Sequence, residues 1–217
     1  MRYQALLFDL DGTLLDTLAD LHNAVNHTLA AFSLPLRTLD ETRRAVGDGV
    51  GMLIARSIPG GKDHPKFQEI LSAFRAYYKD HSTVLTKPYD GITEALAELA
   101  KKGYPIGVVS NKFDSAVKEL CHRYFPDTVI VAIGESEGVR RKPAPDSLAA
   151  AAQALGVSLA DCLYIGDSET DILTAKNAGI DCLSVLWGFR DRETLLAAGG
   201  KRFVSAPCDL ADAVTEE

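Results

Sequence analysis

The feature that most narrows the fold is a run that begins apolar and ends acidic: Leu6-Leu7-Phe8-Asp9-Leu10-Asp11-Gly12-Thr13-Leu14. The apolar stretch 3–8 is short enough for a buried strand. Two carboxylates two residues apart end it, and a glycine punctuates it. Strand alternation would point Asp9 and Asp11 to one face, while Gly12 lets the chain turn directly after them. Open α/β sheets bind ligands outside the carboxyl ends of their strands, which is where both acids stand. Like charges crowded there repel, unless a divalent cation or a cation-bound ligand makes use of them. D-x-D-G also occurs in calcium loops, but those need further oxygen ligands and a glutamate at position twelve. Leu14, Leu15 and Leu18 follow here instead, so the calcium reading is set aside.

The next block is helical. Leu18, Leu21, Val25, Leu29 and Phe32 recur at helical spacing over 17–32. Thr38-Leu39-Asp40-Glu41 has the form of a capping box and starts a second helix that ends at Gly47. A short helix fits 52–57, and a longer one fits 65–80. No strand signal interrupts 17–81. From the turn Pro88-Tyr89-Asp90-Gly91 onward, helices and strands alternate: helices over 92–102, 114–124, 146–155 and 171–178, strands over 106–109, 128–133, 162–165 and 182–187. A short strand at 203–204 and a terminal helix close the chain. Such alternation predicts α/β architecture, a doubly wound parallel sheet with a Rossmann-like core. The helical block reads as a cap inserted into it. The expected division is a catalytic core of residues 1–15 and 84–217 and an all-helical cap of residues 16–83.

A chain of 217 residues has room for a sizeable core. Its net charge of −7 argues against a general nucleic-acid or anionic-membrane surface, and no apolar run approaches a membrane span. Met1-Arg2-Tyr3 leads straight into the first strand, which leaves no room for a signal peptide and predicts a cytoplasmic protein. Cys121, Cys162, Cys182 and Cys208 are scattered, with buried free thiols as the expectation.

Three further strand ends are polar. Val108-Val109-Ser110-Asn111-Lys112 ends on a hydroxyl, Arg140-Arg141-Lys142-Pro143-Ala144-Pro145 is basic, and Ile165-Gly166-Asp167-Ser168-Glu169-Thr170-Asp171 carries two more acids. Taken singly they read as a helix cap, a solvated loop and a helix start. Together they form a constellation of acids, a hydroxyl and a lysine after parallel strands. Phosphoryl transfer needs that set: cationic groups and donors for the spread negative charge, and a carboxylate able to act as nucleophile.

D-x-D-G-T, V-S-N, K-P-x-P and G-D-S-x-x-D occur here in the order and approximate spacing of the haloacid dehalogenase-like hydrolase superfamily, which the whole chain therefore resembles. The resemblance implies that Asp9 is the nucleophile and Asp11 the general acid/base. It implies that Ser110 binds phosphoryl oxygens and that Lys142 neutralises them and steadies Asp9. Mg2+ would be held by Asp9, by the backbone carbonyl of Asp11 and by Asp167, with Asp171 as an outer or water-mediated ligand. Hard oxygen ligands beside a phosphate also favour magnesium on chemical grounds. Gly12, Thr13 and Asn111 join Ser110 and Lys142 as expected substrate contacts.

Within the superfamily the second acid separates reactions. Halide leaves without a proton and an alkoxide wants one, so Asp11 argues for phosphate esters. The cap stretch Val46-Gly47-Asp48-Gly49, with Leu53 and Arg56, looks most like phosphoglycolate phosphatases. Gly47 and Gly49 would let backbone N–H groups approach a small anion, helped by Arg43, Arg44 or Arg56. The expected partner is a small phosphorylated metabolite, 2-phosphoglycolate first, without nucleic acid or membrane. Another small phosphate such as a sugar phosphate or pyrophosphate, or a mutase reaction on the same core, is the alternative, and the protein would be a monomer or homodimer. Receiver-type signalling modules also combine paired acids, an acceptor Asp, a hydroxyl residue and Lys-Pro. Their acceptor lies on a later strand, however, and they insert no cap.

Overall fold

The computed structural model describes residues 2–215. Strand β1 (Ala5–Phe8) leads through the acidic turn into the two-residue β2 (Leu15–Asp16). Helices α1 (Leu18–Ala31), α2 (Leu39–Ala45), α3 (Val50–Ser57) and α4 (Phe67–His81) follow. Then come β3 (Lys87–Pro88), α5 (Ile92–Lys101), β4 (Ile106–Phe113), α6 (Asp114–Tyr124), β5 (Val129–Glu135) and α7 (Asp146–Ala154). The chain ends with β6 (Cys162–Gly166), α8 (Glu169–Ala178), β7 (Asp181–Val185), α9 (Arg192–Ala197), β8 (Arg202–Val204) and α10 (Leu210–Thr215). Among the described residues no helix is long and apolar enough to cross a membrane.

Six strands form one sheet in the order β5-β4-β1-β6-β7-β8, every neighbouring pair parallel. Non-sequential neighbours on both sides of β1 require crossovers, and the helices supply them on both faces. Alternation divides the core accordingly. Leu6 and Phe8 face a cluster with Ile92, Leu96, Val117, Leu210 and Val214. Ala5 and Leu7 face Leu148, Ala151, Ala152 and Ala175. The small residues of α7 allow close approach: a Cβ at Gly107 on β4 would come within 2.9 Å of Leu7 Cδ2 and 3.4 Å of Leu155 Cδ1.

Residues 1–15 and 88–217 form one compact unit and residues 16–87 a second, whose body is the four helices α1–α4. The return crossing is later than the expected 83/84. Both carboxylate oxygens of buried Asp20 accept the Leu85 N–H at 3.0 Å, and Oδ2 also accepts the Thr86 N–H at 2.8 Å. These bonds tie the strand-like exit to α1 before β3 begins. In the helical unit α1 packs on α4 with Leu21, Val25, Leu29, Ile70 and Phe74 buried. The expected capping box is formed by Thr38 and Glu41.

Candidate active site

Asp9 is the first residue beyond β1, and its N–H continues the ladder to Ile165 O at 2.8 Å. Asp11 lies across the turn, which closes through Gly12 N–H to Leu15 O at 2.9 Å. Gly12 has φ +90°, and a Cβ there would lie 2.4 Å from Asp167 Oδ2. The turn therefore needs glycine both for its backbone and to admit the Asp167 carboxylate. Gly188 does the same from the other side, where a Cβ would come within 2.3 Å of Asp167 Cβ.

Asp167 ends β6. Its Oδ1 accepts from Thr13 Oγ1 at 3.0 Å and its Oδ2 from the Phe189 N–H at 2.8 Å. Trp187, in the same loop after β7, donates its indole N–H to Thr13 O at 3.0 Å. The Thr13 hydroxyl thus bonds Asp167, and the Gly12 N–H closes the turn.

The end of β4 presents Ser110, Asn111 and Lys112, all buried. Regular alternation would send neighbours to opposite faces, but the β4–β5 register shifts between Val109 and Phe113. A bulge of this kind re-aims side chains at a strand end. Asn111 Oδ1 accepts the Lys142 N–H at 2.8 Å and its Nδ2 donates to Lys142 O at 3.2 Å. Asn111 thus clamps the lysine's backbone. Lys112 Nζ donates to Asp11 Oδ1 at 2.9 Å and Oδ2 at 3.1 Å. Ser110 Oγ accepts the Lys112 N–H at 3.3 Å.

Lys142 is buried with its Nζ 2.8 Å from Asp9 Oδ1 and 2.7 Å from Asp171 Oδ1. It also donates to Tyr164 Oη at 2.9 Å, and Tyr164 in turn donates to Asp171 Oδ1 at 2.8 Å. Asp171 stands in the first turn of α8, where its Oδ2 accepts the Ser168 N–H at 3.0 Å and the Ser168 hydroxyl at 2.6 Å. A carboxylate offers about four lone-pair sites, and these four donors occupy them. A cation bound directly by the Asp171 side chain would have to displace one. Gly166 leaves the space for this carboxylate, since a Cβ there would lie 2.4 Å from Asp171 Cγ.

Asp9, Asp167 and Asp171 are all buried, each with an oxygen within 4.8 Å of the others'. Burial, then the Asp171 charge, pushes Asp9 well above the usual carboxylate range against the pull of Lys142. Burial and the Asp171 charge likewise push Asp167 up to about 7. Burial also opposes the charge on Asp171, but Lys142 and the hydrogen bonds from Lys142, Ser168 and Tyr164 outweigh it and hold that group low. Burial works against the Lys142 ammonium as well, yet Asp171 and Asp9 more than offset it and raise its pKa. Two carboxyls destabilised as anions beside each other, with oxygen donors only, fit a hard divalent cation. Asp9 Oδ1 is buried and lacks an aligned hydrogen-bond donor despite its ion pair, which fits the same demand.

In the helical unit, Gly47 and Gly49 have φ +127° and +80°, a region that side chains rarely enter. Arg56 Nη1 donates to Ala45 O at 3.0 Å and its Nη2 pairs with Asp48, so Arg56 braces the turn between α2 and α3. Arg43 pairs with Asp40 on its own helix at 2.8 Å.

Sequence reasoning gave no role to Lys112, Tyr164 or the 187–189 loop. Tyr164 sits in an apolar strand, and a buried phenol needs a hydrogen-bond partner. That was the available signal. Lys112 gave only its neighbourhood to Ser110.

The family profile described as "Haloacid dehalogenase-like hydrolase" matches residues 6–185. A phosphoglycolate phosphatase of Neisseria meningitidis is 33% identical over 88% of this chain and 84% of its own length. An N-acetylmuramic acid 6-phosphate phosphatase of Pseudomonas aeruginosa is 33% identical over 98% of this chain and 95% of its own. The crystal structure of a Lactobacillus delbrueckii protein, provisionally described as a phosphoglycolate phosphatase, superposes with a TM-score of 0.93 at 35% identity, covering 100% of both chains.

Proposed function

The chain belongs to the haloacid dehalogenase-like hydrolase family, and from that premise we propose that it is a magnesium-dependent phosphatase working through an aspartyl-phosphate on Asp9, with 2-phosphoglycolate its leading substrate. It is a phosphatase of small phosphate esters, as its relatives are. The observation that carries the finer reading is the Asp9–Lys142–Asp171 arrangement. One buried ammonium is shared between a carboxylate locked by four donors and the Asp9 carboxylate, with which it forms an ion pair. Asp171, Tyr164 and the Asn111 clamp fix Lys142, which keeps Asp9 oriented and able to attack.

Asp9 displaces the ester oxygen from phosphorus, and Asp11 gives that oxygen its proton. Water then attacks the phosphoryl group with Asp11 as base, which releases phosphate and restores Asp9. Ser110 and Lys142 hold the phosphoryl oxygens while charge spreads over them. Asp9, Asp167 and the Asp11 carbonyl would hold magnesium, with Asp171 behind Lys142, and the cation would supply further neutralisation of that charge.

Phosphoglycolate phosphatases at 32–36% identity support the substrate. A second reading, a sugar phosphate, is supported by the Pseudomonas aeruginosa relative, whose match spans 98% of this chain. Ranking phosphate esters by kcat/KM with magnesium and after chelation tests both. A sugar phosphate ahead of phosphoglycolate would replace the leading substrate, and turnover unaffected by chelation would end the magnesium reading.

A further inference from the structure

We infer that Lys112 is a positioning residue for Asp11, fixing that carboxylate for its work at the ester oxygen. The inference rests on the phosphatase reading above. Lys112 follows Ser110 by two residues and lies in the bulged end of β4, where Ser110, Asn111 and Lys112 are all buried. A lysine seldom enters a protein interior without a partner, because the desolvated ammonium must be compensated. Its partner is Asp11, gripped through both oxygens at 2.9 and 3.1 Å, with side-chain exposures of 4% and 17%. The two residues stand 101 positions apart in sequence, so the pairing is made by the fold. The other acids already have their holders: Asp167 has Thr13 and Phe189 N–H, and Asp171 has Tyr164, Ser168 and Lys142. Asp11 has Lys112. Without it, a short carboxylate on a turn would sample several rotamers, and misplacement of a reacting group by about 1 Å can cost on the order of a hundredfold in rate.

The test is a cycle of Lys112→Met, Asp11→Asn and the double variant. Each is assayed on p-nitrophenyl phosphate and on an alkyl phosphate that the wild-type enzyme hydrolyses. A good leaving group needs little help from Asp11, whereas an alkoxide needs much. Lys112→Met should therefore lower kcat on the alkyl ester at least tenfold more than on the aryl ester, with KM little moved. The loss should vanish in the Asp11→Asn background, and Lys112→Arg should restore much of it. Equal losses on both esters, or a loss undiminished in the Asp11→Asn background, would overturn the inference. Thermal melts of the same four proteins test the contact without any substrate. Non-additive shifts in Tm are expected, and additive ones would refute the pairing. An inactive wild type would count against the phosphatase reading, while the melts still decide on Lys112. If the methionine variant does not fold, Lys112→Gln takes its place under the same criteria.

Discussion

One ammonium, Lys142, serves two carboxylates that are held in opposite ways, and the residue-scale consequences differ. Asp171 is an anion locked by four donors, while Asp9 is destabilised as an anion by burial and by Asp171. Asp9→Asn should thus abolish turnover of p-nitrophenyl phosphate yet keep or raise Tm in metal-free protein, since an amide brings no charge into the cluster. Wild-type activity in that variant, with deamidation excluded by mass spectrometry, would remove Asp9 from the chemistry. Tyr164→Phe deletes one hydroxyl from the hub. A stability loss of about 1 kcal/mol is expected, with kcat lowered more than KM is raised; a normal kcat would show that Lys142 needs no help from the phenol. Asp167 adds a pH dependence. Its folded value is raised to about 7 from the ordinary 3.8, so the folded protein prefers the protonated form. That contribution to stability is complete below pH 3.8 and is lost as pH rises through about 7. A cation must displace the same proton, so magnesium affinity should climb across this window and level off above it. Titration followed by the single tryptophan, Trp187, whose indole bonds Thr13 O next to Asp167's hydroxyl donor, measures this; affinity independent of pH would contradict it.

At the scale of elements, the sequence was readable where one periodicity ruled. The alternation of β1 carries through to two core faces, the capping box at Thr38 forms, and the small residues of α7 end near Gly156 as glycine requires. The acids and the lysine could be named because they stand in the loops that follow the parallel strands or in the first turn of the helix after one. Irregular backbone was less readable. The bulge that turns Ser110, Asn111 and Lys112 together breaks the period-2 rule, and nothing in three polar residues announces it. β7 ends at Val185 rather than at Trp187, because the chain must leave the ladder there for Phe189 N–H to reach Asp167. α8 begins at Glu169, two residues before the expected start, with Ser168 capping it. The bonds of Thr13 to Asp167 and of Asn111 to the Lys142 backbone were not foreseen, because a polar residue near a site does not announce its partner. Gly12 shows the same limit, for its turn was foreseen and its packing against Asp167 was not. Gly12→Ala should therefore act through the cation. The methyl group would strain a φ of +90° and press on Asp167. We expect the magnesium concentration for half-maximal activity to rise at least tenfold, about 1.4 kcal/mol, with excess metal recovering part of the rate. Loss of activity that no magnesium concentration relieves would make the damage one of folding.

At the scale of the whole molecule, every group assigned to the chemistry belongs to the unit of residues 1–15 and 88–217, and residues 16–87 fold on a core of their own. If the helical unit contributes to the choice of ester, a change there should alter which substrates are taken while leaving the chemical step intact. The turn at Gly47–Gly49 is the place to ask, and Arg56 is a better handle than the glycines. A side chain at Gly49 meets a φ of +80° and would cost about 1 kcal/mol or more whatever the turn does, so a raised KM would be ambiguous. Arg56→Met keeps the stem and removes the two contacts, to Ala45 O and to Asp48, that brace the turn. The Arg56–Asp48 pair is about one-third exposed, so its loss should cost little stability. The KM for phosphoglycolate should then rise several-fold with Tm nearly unchanged, while kcat/KM for p-nitrophenyl phosphate moves less than twofold. Equal changes on both esters would assign the turn a structural duty alone, and the basis of ester selection would have to be sought among the residues that follow the strands of the sheet.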